Sequence, residues 1–142
     1  MPAQGLVKVC IIADTIIDGR DMIVRHFSDP EVLRTQYRAH GGADAWMILT
    51  SQFMEGIEFL AYATLQPGKV IEEHIDPVEE IYHIYRGGGH MKVGDEVREV
   101  KEGDSVWIPA GAPHALENRT GEVTMVLVIA AYPFRRWISQ SE

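Results

Sequence analysis

The sequence predicts an all-β sandwich or barrel, and three observations carry that prediction. Short segments rich in β-branched and aromatic residues recur from residue 45 onward. Each is closed by Gly, Pro or Asp, a regular spacing of strands and turns. Long helical patterns between them are absent, which excludes a doubly wound parallel sheet.

The first fifty residues are mixed. Segments 8–13 and 22–27 have strand composition, and Asp18-Gly19-Arg20-Asp21 between them reads as the turn of a hairpin. Cys10 sits in the first of these strands as a small apolar residue. Ser28-Asp29-Pro30-Glu31 gives a helix start, with Ser28 as cap, Pro in the first turn and Glu at the reciprocal position. The helix is expected to run through 32–38 and to stop at Gly41-Gly42, with His40 beside the stop. Strands are then expected at 46–53, 57–65, 69–75, 80–85, 90–93, 96–100, 105–108 and 123–132. The chain therefore divides into an extension, 1–44, that packs on the barrel or on a partner subunit, and a barrel domain, 45–142.

At 142 residues, 46% hydrophobic and 24% charged, the chain has the size and composition of one globular domain. Its net charge of -8 argues against unaided binding to nucleic acid or to an anionic membrane surface. No apolar run approaches the ~18 residues that span a bilayer, and residues 1–10 lack the pattern of a secretion signal. Cys10 is the single cysteine, so no internal disulfide forms and a cytoplasmic location is expected.

Two linked patterns carry the chemistry. Gly68, His74, Asp76, Glu80 and Gly87 have the form G-x5-H-x-D-x3-E-x6-G. Gly103, Pro109, Gly111, His114 and Asn118 follow as G-x5-P-x-G-x2-H-x3-N. His74 and Asp76 are two apart, so on a strand they share a face. Pro77 ends or bends that strand, and Glu80 opens the next, with Glu80, Tyr82 and Ile84 on one face and Ile81, His83 and Tyr85 on the other. Pairing of the first two strands, with a third lying across them, would bring imidazole, carboxylate and imidazole together, as metal bonds of about 2.0–2.2 Å require. Two His and one carboxylate with open positions is the donor set of non-haem Fe(II). Asp76 adds a fourth oxygen.

The two patterns resemble the two conserved motifs of the cupin superfamily, over roughly the last two-thirds of the chain. Supporting phrases are Glu79-Glu80-Ile81-Tyr82 and the run from Gly103 to Gly111. The second motif matches at every fixed position; the first departs only at Asp76, where the family usually has His. The resemblance implies a jelly-roll barrel with an interior metal and His74, Glu80 and His114 as ligands. Asp76 either bonds the ion, holds it through a water, turns away, or marks a site that has lost its metal. Two carboxylates favour Fe(II) or Mn(II), with Ni(II) and Zn(II) as further candidates. A homodimer is also implied.

Other residues carry weaker signals. Tyr82, on the face of Glu80, is a proton-transfer candidate beside Asp76, against the plainer reading of a barrel-lining side chain. His83 is expected to pack or to meet a partner, His90 to lie exposed after a Gly87-Gly88-Gly89 hairpin turn, and His26 and His40 to stand outside the motifs, with His40-Gly41-Gly42 explained more simply as a helix stop than as a fold over the barrel mouth. The triple glycine lacks the following Lys-Ser/Thr of a phosphate loop. Trp107 is expected in the core, and Met47, Met54, Met91 and Met125 as gap-fillers. Arg135-Arg136-Trp137 suits a solvated tail, or a contact with an anionic substrate or a partner chain.

The function expected is a metal-dependent enzyme on a small organic molecule, a carboxylate, diketone or phenol, by dioxygenase (oxidoreductase), lyase or isomerase chemistry. The rivals are a ligand-binding or sensing barrel without turnover, and a barrel whose metal is purely structural.

Overall fold

Strand follows strand through nearly all of the computed structural model, which describes residues 9–12, 15–18 and 22–132. β1 (Val9–Ile12) pairs antiparallel with β2 (Thr15–Asp18). A short α1 (Pro30–Leu33) precedes β3 (Tyr37–Ala39), β4 (Ala43–Thr50) and β5 (Ile57–Leu65). Then come β6 (Val70–His74), β7 (Glu79–Arg86), β8 (Gly88–Val93), β9 (Glu96–Lys101), β10 (Ser105–Ile108), β11 (His114–Glu117) and β12 (Thr124–Ala131).

These strands form two further sheets. One has six strands in the order β10-β7-β12-β5-β4-β3, the other four in the order β6-β11-β8-β9. Every pairing is antiparallel. The fold class is the all-β one expected. Leu65, Ile71, Tyr82, Ile84, Met91, Ile108, Leu116 and Val126 form the buried core. Strand β7 alternates as its sequence predicts: Glu80, Tyr82 and Ile84 are buried while Ile81 and Tyr85 are exposed.

Several local expectations fail for identifiable reasons. The first hairpin closes earlier than expected: Asp18 ends β2, while Gly19, Arg20 and Asp21 lie outside the described residues. Residues 22–27 form no strand. The helix is four residues long and its cap position is Asp29, without a side-chain cap. Ser28 contacts His26 instead, through Oγ at 2.7 Å from Nδ1. Thr35 Oγ1 donates back to the Val32 carbonyl, 2.6 Å, and accepts from the Met47 amide, 2.8 Å. That side chain diverts the backbone after one turn, and 37–39 join the larger sheet opposite 43–45. Tertiary pairing overrides helical pattern here.

Gly87 is not a hairpin turn. It carries the chain from β7 in the larger sheet to β8 in the smaller one, at φ 79°. A Cβ there would lie 2.8 Å from the Val123 carbonyl, so close approach as well as conformation demands glycine. Trp107 is not core but 56% exposed, its indole N–H donating to Glu79 Oε1 at 2.6 Å. His90 lies within β8, half-buried rather than exposed. Met91 fills the core, and Met47, Met54 and Met125 are half-buried.

Candidate metal centre

His74, Asp76, Glu80 and His114 offer ligand atoms that all lie within 4.8 Å of one another. The two sheets bring them together. His74 ends β6 and His114 opens β11, directly opposite each other in the smaller sheet. Glu80 comes from β7 of the larger sheet, held against Ile108 of β10. The pairing is thus β6 with β11, with β7 across from them, rather than β6 with β7. Asp76 reaches the cluster from the connection between β6 and β7, not from a strand.

Local backbone chemistry fixes these positions. Ala112 N donates to the Pro109 carbonyl at 3.1 Å, closing the turn before β11. Gly111 takes φ 83° in that turn, the left-handed region that favours glycine. Its N–H donates to the Asp76 carbonyl at 2.8 Å, tying the two motif loops together. Asn118, fully buried, donates to the carbonyls of Leu65 and Glu122 and accepts from Thr120. It holds the turn that follows β11 and is part of the frame, not of the site.

The ring nitrogens settle the orientation of both histidines. His74 Nδ1 lies 2.7 Å from the Glu72 carbonyl, and His114 Nδ1 lies 2.9 Å from the Ala112 carbonyl. A carbonyl only accepts, so each Nδ1 carries a proton, and in the neutral ring each Nε2 turns its lone pair toward the cluster. That is the tautomer of a metal-bound imidazole whose second nitrogen is anchored. His74 Nε2 is 3.2 Å from Asp76 Oδ2, and His114 Nε2 is 3.2 Å from Glu80 Oε1 and 3.6 Å from Asp76 Oδ2. None of the three is oriented as a hydrogen bond, and His74 Nε2, His114 Nε2 and Glu80 Oε1 are buried without a hydrogen-bond partner. Atoms each about 2.1 Å from one ion stand about 3.0 Å apart at right angles and about 3.4 Å apart at tetrahedral angles. The donor set and its spacings fit a divalent cation.

Burial raises the Glu80 pKa above 4.5, with Asp76 adding to the rise and His114 opposing it. For His114 burial acts downward, but Glu80, the Ala112 carbonyl and Asp76 outweigh it and the pKa rises above 6.5. The metal-free cluster therefore holds protons that a cation would displace.

A cavity of about 180 Å³ opens beside the cluster and is lined by Asp76, Glu80, Tyr82, Tyr37 and His40 among others. Burial, then Glu80 and Asp76, push the Tyr82 phenol far above its ordinary range, so it stays protonated. Its ring meets His114 edge-on, centroids 5.8 Å apart. His83 points away and contacts Ser105 Oγ at 2.8 Å. His26 is exposed, far along the chain from the motifs. Arg135, Arg136 and Trp137 lie outside the described residues.

His40 is the residue that spacing did not assign to the cluster. It occupies the turn between β3 and β4 at φ 45°, an uncommon conformation outside glycine. Its ring stacks on His74 with centroids 3.4 Å apart and planes within 8°. Burial, then His74, lowers its pKa below 6.5, so the ring is neutral at neutral pH. The only trace in the sequence is a histidine placed before two glycines.

Residues 61–130 match the family described as the cupin domain. An uncharacterized protein of Methanocaldococcus jannaschii is 44% identical over 55 residues, which are 39% of this chain and 43% of that protein. The match thus spans less than half the length of that relative. A predicted oxalate decarboxylase from Thermotoga maritima superposes with a TM-score of 0.68 at 24% identity, covering 78% of this chain and 99% of that one. The polyketide cyclase RemF from Streptomyces resistomycificus gives a TM-score of 0.65 at 19% identity over 78% of this chain and 80% of that one. At these identities the structural likeness establishes the barrel fold.

Proposed function

The chain belongs to the cupin superfamily, and on that premise we propose that it is a metal-dependent enzyme acting on a small organic molecule. One observation carries the reading: two anchored imidazoles direct unpartnered Nε2 atoms, beside Asp76 and Glu80, at one point next to a cavity. Buried polar atoms without partners are costly, and a bound cation satisfies all of them at once. We assign His74, Asp76, Glu80 and His114 as its ligands, with Fe(II) or Mn(II) preferred for the two carboxylates. A divalent ion there supplies Lewis acidity to a substrate oxygen, and iron also supplies oxygen chemistry of the dioxygenase type.

The chain's own residues would do the rest. Tyr82, protonated and buried on the cavity wall, donates a hydrogen bond to a substrate oxygen. Asp76 is the more open carboxylate, its side chain 28% exposed against 6% for Glu80, and is the proton acceptor facing the cavity. The alanines give the cavity beside the cluster an apolar wall. Enolate-forming isomerase or lyase chemistry needs no more than these groups. The fold neighbours include a polyketide cyclase and a predicted oxalate decarboxylase, which supports an enzyme reading of this barrel. A homodimer is part of the proposal and is read by light scattering on a sizing column.

Elemental analysis of protein purified without chelator or a metal-binding tag tests the site. About one equivalent of Fe, Mn, Ni or Zn per chain is expected, and His114→Ala should lose it. A wild-type protein that takes up no metal even after reconstitution would end the metal reading.

A further inference from the structure

The cavity beside the cluster has a lining that discriminates by charge. Its apolar wall is made of small side chains, Ala43, Ala45, Ala61 and Ala63, with Val128 and Phe59 beside them. These alanines come from β4 and β5, where register places Ala45 opposite Ala63 and Met47 opposite Ala61. Larger residues there would fill the space, so the cavity exists because the sequence is alanine-rich on this face of adjacent strands. At about 180 Å³ it matches a molecule little larger than a benzene ring, since an engineered apolar cavity of about 150 Å³ holds benzene.

Among the described residues the charged groups on the lining are acids, and His40 is neutral. Asp76 and Glu80 balance a divalent ion, one negative charge each. Glu58 lines the same cavity, a third acidic residue on its wall. Among the described residues no Lys or Arg lines it. The nearest cation in sequence, Arg38, alternates away from the inward Tyr37 and Ala39 and pairs with Asp44 at 3.0 Å. An incoming dicarboxylate would add two negative charges to a site already neutral at the metal and negative at its wall. Like charges brought together in a partly desolvated site repel strongly. The available partners for a substrate oxygen are instead neutral: the hydroxyls of Tyr37 and Tyr82 and the imidazole of His40.

We infer that the substrate is a compact molecule uncharged in solution, a ketone, diketone or phenol that chelates through oxygen and packs an apolar body against the alanines, and not a dicarboxylate. The inference rests on the metal-dependent reading above and narrows its substrate class. Glu58 and the four alanines are its specificity-determining residues.

Two isosteric probes test it. Acetylacetone and malonate share one 1,3-dicarbonyl chelate ring, and malonate carries two anionic oxygens where acetylacetone has two methyl groups. Calorimetric titration of the metal-loaded protein, normalised to each probe's affinity for the free ion, should favour acetylacetone by at least tenfold. Glu58→Gln should raise malonate affinity by about threefold to tenfold and leave metal content unchanged. Ala61→Leu should abolish acetylacetone binding at full metal content. Malonate binding as tightly as acetylacetone to fully loaded protein would overturn the inference and leave the metal site standing. Acetylacetone binding unchanged by Ala61→Leu would overturn it also, because the ligand would then lie outside this cavity. Absence of metal from the loaded sample sinks the metal reading, and the substrate class with it.

Discussion

Two sets of polar side chains are buried between the sheets, and their surroundings treat them oppositely. Asn118 and Thr124 are fully buried, and each is bonded by donor and acceptor alike. Asn118 donates twice and accepts twice, while Thr124 Oγ1 donates to the Gly88 carbonyl at 2.6 Å. Glu80 and His114 are 5% and 1% exposed, yet Glu80 Oε1 and His114 Nε2 have no hydrogen-bond partner. The first set ties the turn after β11 and the crossover at Gly87 to the barrel. The second converges on a point. Satisfied buried groups hold a fold in place, whereas unsatisfied ones facing one another mark where the fold is completed from outside.

The largest expected effect breaks the first set. Asn118→Ala takes its amide donor from the buried Leu65 carbonyl and one of two side-chain donors from the Glu122 carbonyl, which keeps Thr120 Oγ1 at 3.0 Å. A loss of about 3 kcal/mol is expected, since each buried group left unpaired costs about 1–3 kcal/mol. Urea denaturation reads it, and metal content measured on the folded variant in the cold should equal that of the wild type. Loss of metal from folded Asn118→Ala protein would show that the two sets are one.

The next effect belongs to the second set. A metal at one hundred times its dissociation constant should stabilise the wild type by about 2.7 kcal/mol. Glu80→Met should remove that response, and at a pH where His114 is neutral it should leave the metal-free protein about as stable as wild type, because a buried carboxylate oxygen without a hydrogen bond gives way to an apolar side chain of similar size. Thermal melts with and without added metal measure both. If Glu80→Met weakens the metal-free fold as much as Asn118→Ala does, Glu80 belongs with the structural set.

The two sets were not equally legible in the sequence. The strand segments, the alternation of Glu80, Tyr82 and Ile84, and the His–Asp–Glu and His spacings are local patterns, and periodicity reads such patterns directly. Segment 57–65 appears with the same bounds in the fold. What failed was decided at a distance. The helix at 32–38 gives way because Thr35 binds the Met47 amide and 37–39 pair with β4. Strand β11, only four residues long, hides behind a turn signal and is defined by its two neighbours. His40 reaches His74 through a turn whose left-handed backbone no spacing rule announces. Trp107 looks like core by composition, but its side of β10 faces outward, where Glu79 accepts its N–H.

The smallest effect carries the sharpest sign. In the metal-free protein His114 holds its proton above the ordinary 6.5: burial opposes this, and Glu80, the Ala112 carbonyl and Asp76 prevail. A histidine whose folded pKa is raised contributes stability fully below pH 6.5 and loses it as the pH climbs through the folded value. Glu80 acts in the same sense, because burial lifts its pKa above 4.5 and the folded chain keeps a proton that the unfolded chain releases. The melting temperature in chelator should therefore fall as the pH rises from 7 to 8, above most of the range in which His40, whose pKa is lowered, adds stability with rising pH. With the metal near its dissociation constant the trend should reverse, since the ion competes with those protons for the same atoms and binds better as they leave. His114→Ala should lose the reversal and flatten the fall. Parallel slopes with and without metal would mean that the protons and the ion occupy different places, and the unpartnered set would need another explanation.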